Sequence, residues 1–558
     1  MKKIVTVIMA CAMTVGGIGL NARAGVIEPG LKKEMQYLRP DEEVPIIVTL
    51  ADQVDLNSFN DKDKALRRGK IIKALKNKSE KTQKNITDFL KQNKAGKLKP
   101  FWIFNGLAVT AKVKLIEKLA GVEGIESIRL DATLSLAEPL KDSVSLPEWN
   151  ISAINAPELW NMGYTGTETV LATMDTGVDA SHQDLASRWR GGSNSWYDPN
   201  GEHATPYDSD TYGHGTRVMG IMVGGDAGGS FIGVAPGAQW IAVKIFNDAG
   251  KATLSGIHDG FQWLLDPDDN PETDDAPDVV NNSWGFPNLA GVCFAEFKQD
   301  IQALKAAQIG AVFSAGNGGP YDATSESPAN YPESFAAGAV DTTLTITYFS
   351  ARGPSACDGS TYPEVVAPGV SVLTADLGDS YATAAGTSFA APHVAGAMGL
   401  LLSTDPSLSI GDIESAMADS AQDLGELGPD NVYGYGLLDV MGAYNLLSQN
   451  QPLCTDADLD GFYAEADCGT AMDCDDNADG TNPAACDIKG DGIDQDCDGS
   501  DRVKGKPCRA VADSGSDPGG DPVGVEGKGK SCGDRIDNDG DLLFDCEDPD
   551  CSKNKSCK

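Results

Sequence analysis

Three short segments carry side chains that could together perform nucleophilic catalysis. Asp175 ends an apolar run and precedes Thr-Gly-Val-Asp, His214 lies between two glycines, and Ser388 belongs to the segment Gly-Thr-Ser-Phe-Ala-Ala-Pro-His. A serine hydroxyl is a weak nucleophile at neutral pH and needs a base to accept its proton. Histidine titrates near neutral pH, and a buried carboxylate fixes its tautomer and stabilises the charge that it gains. The three residue types therefore predict acyl-transfer chemistry at Ser388.

Each segment also has a simpler interpretation when it is taken alone. An aspartate at the end of a strand often forms a turn, and a serine before a helix often caps that helix. A single histidine is often only a packed side chain. The occurrence of all three segments in the order Asp, His, Ser favours catalysis over these alternatives.

The elements that must position these residues form an alternating pattern between residues 146 and 447. Apolar stretches such as 170–174, 240–245 and 310–315 are separated by helical stretches rich in Ala and Gly. Continuous apolar strands that alternate with helices predict an α/β fold with a doubly wound parallel sheet, covered on both faces. Functional residues are expected at the carboxyl ends of such strands. A helix that begins at Ser388 would also direct free backbone N–H groups toward a developing negative charge.

Residues from about 150 to 447 resemble the subtilisin-like serine peptidases through these segments and their flanks. The resemblance identifies Asp175, His214 and Ser388 as a catalytic triad, in the chain order known for subtilisin. The segment Ser-Ala-Gly-Asn-Gly at 314–318 resembles the family segment whose asparagine donates to the oxyanion, which implies that role for Asn317.

A further segment, Val-Asn-Asn-Ser-Trp-Gly at 280–285, resembles the part of the family that pairs with extended substrate through backbone hydrogen bonds. It implies substrate contacts from Ser283, Trp284 and Gly285. Residues 281–284, with Phe-Ser-Ala-Arg-Gly-Pro at 349–354, indicate the bacillopeptidase F-like branch. The resemblance implies a serine endopeptidase that acts on protein or peptide substrates through an acyl-enzyme on Ser388, without an organic cofactor.

The first 24 residues have the pattern of a secretory signal peptide. Lys2 and Lys3 precede an apolar stretch, and Ala-Arg-Ala at 22–24 offers a cleavage site. A transmembrane helix and lipid attachment at Cys11 are the alternatives. Since no later apolar run reaches membrane-spanning length, we expect a secreted, extracellular protein with no membrane span in the mature chain.

Residues 25–145 predict a small α/β domain. Its apolar patterns indicate strands at 46–50, 101–110 and 125–130 and helices at 61–94 and 112–119. Because it precedes a subtilisin-like domain, it resembles the propeptides of that family, which assist folding and then block the cleft. An ordinary accessory domain is the alternative. Self-cleavage is expected between Asp131 and Glu148.

The charge distribution supports this interpretation and excludes nucleic acid as a partner. The chain has a formal net charge of −38, yet residues 25–146 contain 22 Lys and Arg against 17 Asp and Glu. Electrostatic complementarity would favour binding of the propeptide to the acidic remainder. Nucleic-acid binding would require basic patches, which so acidic a chain does not provide.

The C-terminal part changes abruptly to Asp, Gly and Cys. We predict Asp/Cys-rich repeats at 452–509, a linker at 510–530 and a second short block at 531–558. Ten of the 13 cysteines follow Leu453, and Cys293 and Cys357 lie in the middle of the chain. Even numbers of cysteines in an exported chain favour disulfides. Zinc fits less well because the tail contains no histidine.

Alternating carboxylates in this tail predict calcium sites. Aspartates at every second position before a glycine, followed by a carboxylate eleven residues after the first, can surround a hard cation, as in EF-hand or thrombospondin-type loops. An acidic, disordered tail is the alternative. The family resemblance adds Asp184, and the acidic insertion at 266–275 is a further candidate unless it is simply solvated. The predicted tail ligands are Asp456, Asp458, Asp460, Asp467, Asp537, Asp539 and Asp541.

Two other functions share these features. A calcium-dependent surface or adhesive protein could use a peptidase fold as a scaffold, and a dedicated processing enzyme could act on a single partner. The presence of all three triad segments and of the Asn317 segment favours an active peptidase over an inactive scaffold.

Overall fold

The computed structural model describes residues 25–136 and 149–449, and single positions between 462 and 497. The predicted signal peptide, the linker, the last Cys-containing block and the seven predicted calcium ligands of the tail lie outside the described residues. Contacts divide the chain into one unit that ends at Asn450 and a second that begins at Gln451. Among the described residues, no helix has the length and apolar character needed to cross a membrane.

An N-terminal domain is built on a mainly antiparallel five-stranded sheet with the strand order β1-β5-β2-β4-β3. The side chains of β2 from Ile46 to Leu50 are buried, as its continuous apolar sequence predicts. The elements are β1 (Val26–Ile27), α1 (Pro29–Met35), β2 (Glu43–Leu50), α2 (Lys64–Gln92), β3 (Gly96–Phe101), β4 (Gly106–Lys112), α3 (Val113–Leu119), β5 (Ile125–Leu130) and β6 (Thr133–Ser135).

One predicted strand of this domain was wrong. The sequence suggests a single strand over residues 101–110, but β3 ends at Phe101 and β4 begins at Gly106. Asn105 between them has a φ of 44°, a left-handed conformation that asparagine tolerates better than most residues. The Asn-Gly pair at 105–106 is a turn signal that interrupts the apolar run.

The second domain is an α/β fold in which seven strands pair in parallel, in the order β14-β13-β12-β11-β7-β9-β8. The predicted doubly wound sheet is confirmed. Its elements are α4 (Trp149–Ala153), α5 (Ala156–Asn161), β7 (Val170–Asp175), β8 (Trp196–Tyr197), α6 (His214–Val223), β9 (Gln239–Lys244), β10 (Lys251–Thr253), α7 (Leu254–Leu265), β11 (Val279–Asn282), α8 (Lys298–Ala306), β12 (Gly310–Ser314), β13 (Phe335–Val340), β14 (Val365–Pro368), β15 (Val372–Asp376), β16 (Ser380–Ala384), α9 (Thr387–Leu402), α10 (Ile410–Asp419) and α11 (Val440–Gln449).

Each central strand contributes side chains to two cores, one on either face of the sheet. Val279 and Val312 pack into the core that contains α6 and α9, whereas Val280 and Phe313 pack into the core that contains α7 and α8. Both sets are fully buried. Successive side chains of a strand point to opposite faces of the sheet, and here both faces are buried. The sequences of these strands are therefore continuous apolar runs.

The N-terminal domain packs against α7 and α8. Phe101 and Phe104 enter the same core as Phe297. Around this apolar contact, basic groups meet acidic ones. The buried guanidinium of Arg68 lies 2.8 Å from a carboxylate oxygen of Asp274. Other pairs join Lys76 to Asp266, Lys99 to Asp259 and Arg129 to Glu296. The basic residues of the N-terminal domain therefore face acidic residues of the second domain, as the charge distribution along the sequence predicts.

Candidate active site

The imidazole of His214 is held at the start of α6. Nδ1 of His214 lies 2.7 Å from Oδ1 of Asp175, the last residue of β7, and both side chains are buried. The backbone N–H of Thr176 also donates to this oxygen at 2.7 Å. Since Nδ1 faces a carboxylate, it carries a proton, which leaves Nε2 as the nitrogen that can accept one.

The environment of His214 favours its protonated form. Burial by itself lowers the pKa of His214, but the charge of Asp175 and the hydrogen bond that it accepts from Nδ1 outweigh burial and raise the pKa above its ordinary value. Asp208 and Asp210 contribute in the same direction. A base whose positive charge is stabilised in this way is suited to take a proton from a neutral hydroxyl.

Carboxylates and a hydroxyl also fix the first turn of α6. Oδ2 of Asp210 accepts from the backbone N–H of His214 at 3.1 Å, and Oδ2 of Asp208 accepts from that of Thr216 at 2.9 Å. Oγ1 of Thr176 accepts from the N–H of Gly215 at 2.9 Å. These bonds satisfy amides that a helix start leaves free and hold the imidazole in one position.

Ser388 lies in the first turn of α9, after Gly386, whose φ of 144° favours glycine. Phe389 places this turn beside His214, because the two ring centroids are 5.5 Å apart. The hydroxyl of Ser388 donates to the carbonyl oxygen of Ser283 at 3.3 Å, and the described hydrogen bonds do not include one from it to His214. Such catalytic hydrogen bonds often form only when substrate is bound.

A proline four residues along the helix explains a second contact of Ser388. Pro392 has no N–H, so it cannot donate the helical bond to the carbonyl of Ser388. The hydroxyl of Ser283 donates to that carbonyl instead, at 2.7 Å. The helix that carries Ser388 is thereby tied to the segment that follows β11.

Asn317 follows β12 at the same edge of the sheet. Its side-chain oxygen accepts from the N–H and the hydroxyl of Thr387, at 3.0 and 2.9 Å. Because the oxygen is engaged, the amide nitrogen is the end that remains to donate. The structure thus connects Asn317 to the residue directly before Ser388, and an oxygen that develops charge near Ser388 would meet this amide.

A cavity of about 240 Å³ lies beside Ser388. Residues 283–285 and 316–318 line it, so Ser283, Trp284 and Gly285 lie where the sequence predicts substrate contacts. Glu326 also lines this cavity, and it belongs to none of the predicted segments. The sequence also offered no prediction that Thr387 and the hydroxyl of Ser283 position other groups of the site. For Ser283 a signal was present, because Pro392 within the helix leaves the carbonyl of Ser388 without its helical donor.

The end of the N-terminal domain reaches the same cavity. Strand β6 pairs antiparallel with β10, with Ser135 opposite Lys251, and the N–H of Leu136 donates to the carbonyl of Gly250 at 3.4 Å. Leu134 is buried in the core of the second domain. Ser135 and Leu136 then line the cavity together with Ser388. This segment lies in the cleft as an extended peptide would.

Asp184 and the acidic insertion, both predicted to bind calcium, already have partners within the protein. Oδ1 of Asp184 accepts from the N–H of Ala227 at 2.7 Å, and Oδ2 accepts from the hydroxyl of Tyr381, so protein donors already engage both oxygens. In the insertion 266–275, carboxylate oxygens of Asp266, Asp268 and Asp275 lie within 4.8 Å of one another. Asp266 faces Lys76 at 2.6 Å, so a cation from the N-terminal domain already lies at that cluster.

Disulfides are present in both predicted regions. Cys293 is joined to Cys357 within the second domain, and Cys474 is joined to Cys497 in the tail. The expectation that these cysteines form disulfides is confirmed for these four residues.

Comparison with known proteins agrees with the motifs. Residues 166–436 match the Subtilase family. The chain is 36% identical to bacillopeptidase F of Bacillus subtilis over 423 residues, which cover 68% of this chain and 29% of that protein. It is 34% identical to subtilisin DY of Bacillus licheniformis over 297 residues, covering 53% of this chain and 97% of that protein. With subtilisin E of Bacillus subtilis it shares 32% identity over 353 residues, which cover 63% of this chain and 84% of that protein.

Proposed function

Because this chain belongs to the subtilase family and is a serine endopeptidase of that family, we propose that it is secreted as a zymogen that processes itself. In this proposal Ser388 is the nucleophile, His214 the general base and Asp175 the carboxylate that orients it. Residues 25–145 act as an inhibitory propeptide. The substrates are proteins or peptides, bound in the cleft between the 283–285 and 250–253 segments.

The first half of the reaction forms an acyl-enzyme. As Oγ of Ser388 attacks the substrate carbonyl carbon, its proton passes to Nε2 of His214, and the positive charge is stabilised by Asp175. The carbonyl oxygen becomes negative and is stabilised by the side-chain amide of Asn317 and the backbone N–H of Ser388. His214 then gives the proton to the departing amine, and the peptide bond breaks.

The second half repeats these steps with water. Nε2 of His214 takes a proton from water, the resulting hydroxide equivalent attacks the ester carbon, and the proton returns to Oγ of Ser388 as the acid product leaves. The carbonyl of Ser388 is held by Ser283 throughout. The nucleophile therefore does not need to change its helix position between the two halves.

The pairing of β6 with β10 carries the zymogen proposal. Residues 133–135 pair with β10, and Ser135 and Leu136 line the cavity next to Ser388. In the proposal this segment occupies the position of the acyl side of a substrate. A segment bound there excludes other peptides, and it lies within the interval in which self-cleavage is expected. The ion pairs that join Lys99 to Asp259 on α7 and Arg129 to Glu296, just before α8, would hold it there.

The test compares the secreted chain with its Ser388→Ala variant. Wild type is expected to lose the N-terminal domain, with a new N-terminus between 132 and 148 found by N-terminal sequencing, and to react with a fluorophosphonate. The Ser388→Ala variant is expected to accumulate with residues 25–145 attached and to remain unlabelled. Equal processing of the two proteins in a host without other extracellular proteases would contradict self-cleavage. Labelling of the variant would contradict the assignment of Ser388.

We also propose that calcium stabilises the tail through the alternating aspartates that begin at Asp456 and at Asp537. Alternating carboxylates with glycine turns and few apolar residues support it, because such a segment needs metal or disulfides to remain ordered. Thermal unfolding of the Ser388→Ala protein should shift to lower temperature in a calcium chelator, and a chain truncated after residue 450 should lose that shift. An equal shift in the truncated chain would place the calcium elsewhere.

A further inference from the structure

The cavity beside Ser388 contains a buried carboxyl group that the catalytic steps do not use. Glu326 lines this cavity and is only 3% exposed. Its Oε1 has no hydrogen-bond partner among the described residues, and the backbone N–H of Asn317 is the group that hydrogen-bonds to the carboxyl. No cationic side chain of the described residues contributes to its electrostatic environment.

The carboxyl group lies directly between the two walls of the cavity. A Cβ atom placed on Gly316 would be 2.4 Å from Oε1 of Glu326, and one placed on Gly285 would be 3.2 Å from Oε2. Gly285 belongs to the segment next to Ser283, and Gly316 immediately precedes Asn317. Because both positions lack side chains, the carboxyl group reaches the space between the walls without obstruction.

The backbone of Glu326 is fixed, so the position of its carboxyl is a property of the fold. The carbonyl of Glu326 accepts from the N–H of Asn330 at 3.0 Å, and its N–H donates to the hydroxyl of Tyr362 at 3.5 Å. The carbonyl of the preceding Ser325 accepts from the N–H of Gly291 at 2.9 Å. These bonds position the carboxyl before any substrate arrives.

A buried carboxylate without a cation is unfavourable, since loss of water is not offset by a charge partner. Strong compensation would come from an ammonium or guanidinium group, which forms charge-assisted hydrogen bonds with a carboxylate. Neither Ser135 nor Leu136, which lie at the cavity here, carries a charge. A substrate side chain is therefore the group that could supply the missing cation.

We propose that Glu326 is a specificity residue that selects a lysine or arginine side chain at the substrate residue whose carbonyl Ser388 attacks. The inference rests on the proposed function, because it requires the cavity beside Ser388 to receive that side chain. A long aliphatic stem would lie in the cavity lined by residues 283–285 and 316–318, and its cationic end would meet the carboxyl of Glu326, which closes the space between Gly285 and Gly316. Basic side chains are then selected because they pair with the Glu326 carboxylate, which otherwise has no cationic partner.

The protonation of Glu326 gives the selection a pH dependence. Burial raises the pKa of this carboxyl to about 7, although the hydrogen bond from Asn317 opposes the effect. Of the groups that face it, only Tyr362 titrates, and burial raises the pKa of Tyr362 well above its usual value, so that it stays neutral. Preference for a basic side chain should therefore increase as pH rises through about 7.

The experiment uses processed enzyme from the full chain and peptides that differ only at the residue before the scissile bond: Arg, Lys, Gln or Leu. Wild type should have a higher kcat/KM for Arg and Lys than for Gln. The Glu326→Gln variant should lose roughly ten- to a hundred-fold in kcat/KM for Arg and Lys, the scale of a charge-assisted contact. Its kcat/KM for Gln and Leu peptides should change by no more than a few-fold.

Glu333→Gln is the matched control, because Glu333 lies on the same segment but pairs with Gln302 and Lys298 outside the cavity. It should keep the wild-type Arg-to-Gln ratio. If Glu326→Gln does not fold, the wild-type enzyme is assayed between pH 5.5 and 8.5 instead, and its kcat/KM for the Arg peptide is divided by that for the Gln peptide. A ratio that does not vary with pH contradicts a charged Glu326. An unchanged ratio in a folded, active Glu326→Gln enzyme would also overturn the inference. Absence of both cleavage and fluorophosphonate labelling in wild type would instead overturn the proposed function, and this inference with it.

Discussion

Two buried histidines, His214 and His258, each face carboxylates, yet their surroundings give them different capacities. His214 contacts Asp175 through Nδ1 alone. His258, in α7, has Nδ1 3.0 Å from Asp300 and Nε2 3.0 Å from Glu296. Both pKa values are raised, although burial opposes this, and that of His258 reaches about 9 because of Asp300 and Glu296. A raised pKa thus does not identify a catalytic base.

The difference lies in the second ring nitrogen. None of the described hydrogen bonds involves Nε2 of His214, and the ring lies beside Phe389, in the turn that carries Ser388. Both nitrogens of His258 are occupied, and the ring is covered by Phe104 of the N-terminal domain, with centroids 4.2 Å apart. His258 can hold a charge but cannot exchange a proton with a substrate. The comparison indicates that a free nitrogen, more than a pKa, separates a catalytic histidine from a structural one.

The largest expected effect is on catalytic activity, which should depend on His214 and not on His258. His214→Ala should lower kcat by roughly 10⁵–10⁶-fold, the scale of the loss when the corresponding histidine of subtilisin is removed. His258→Gln, with no contact to the reacting atoms, should stay within about tenfold of wild type. Both proteins would be processed in trans by tagged wild-type enzyme, which is then removed, and assayed on one fluorogenic peptide. An equal loss in a folded His258→Gln protein would erase the distinction.

A smaller effect is expected in the stability that His258 contributes to the fold. A group whose pKa is higher in the folded state stabilises the fold fully below its unfolded pKa, and this contribution is lost as pH rises through the folded value. In the Ser388→Ala chain, His258→Gln should lower the free energy of unfolding by about 3 kcal/mol at pH 6, since it leaves the buried carboxylate of Asp300 without its cation, whereas Glu296 keeps Arg129. The deficit should shrink between pH 6.5 and about 9.

Urea unfolding at several pH values would measure this deficit. The difference between variant and parent is the quantity to follow, because burial also raises the pKa of Glu364, to about 8, in both proteins. His203→Gln is the control, since His203 pairs with a half-exposed carboxylate of Asp248 and should cost no more than about 1 kcal/mol. A pH-independent deficit for His258→Gln would contradict a charged His258.

The sequence predicts the parts of this molecule that lie in short local patterns. Asp175, His214, Ser388 and Asn317 each follow a strand or open a helix, so a motif and a parallel sheet suffice to bring them to one edge. The fold class and the family are confirmed, whereas the residue roles remain proposals. The single strand predicted over residues 101–110 was wrong because an Asn-Gly turn divides an apolar run.

Glu326 and His258 could not be found in this way. Glu326 lies in a segment without regular structure, and its place between Gly285 and Gly316 depends on contacts with residues distant in sequence, such as Tyr362. His258 lies within a helix whose pattern gives no sign that Glu296 and Asp300 will face it. Both depend on how separate elements pack, and a linear pattern does not record that packing.

The helix that begins at Thr387 also determines when activity can appear during biosynthesis. Every residue of this helix except Ser388 is buried, so it has no polar face to present to water. A short helix of this kind is not stable by itself and requires the sheet strands around it. A chain that is still incompletely folded therefore cannot hold Ser388 in its final position. With Ser388 as the proposed nucleophile, the folding of this helix sets the earliest moment at which activity can arise, whether or not an inhibitor is bound.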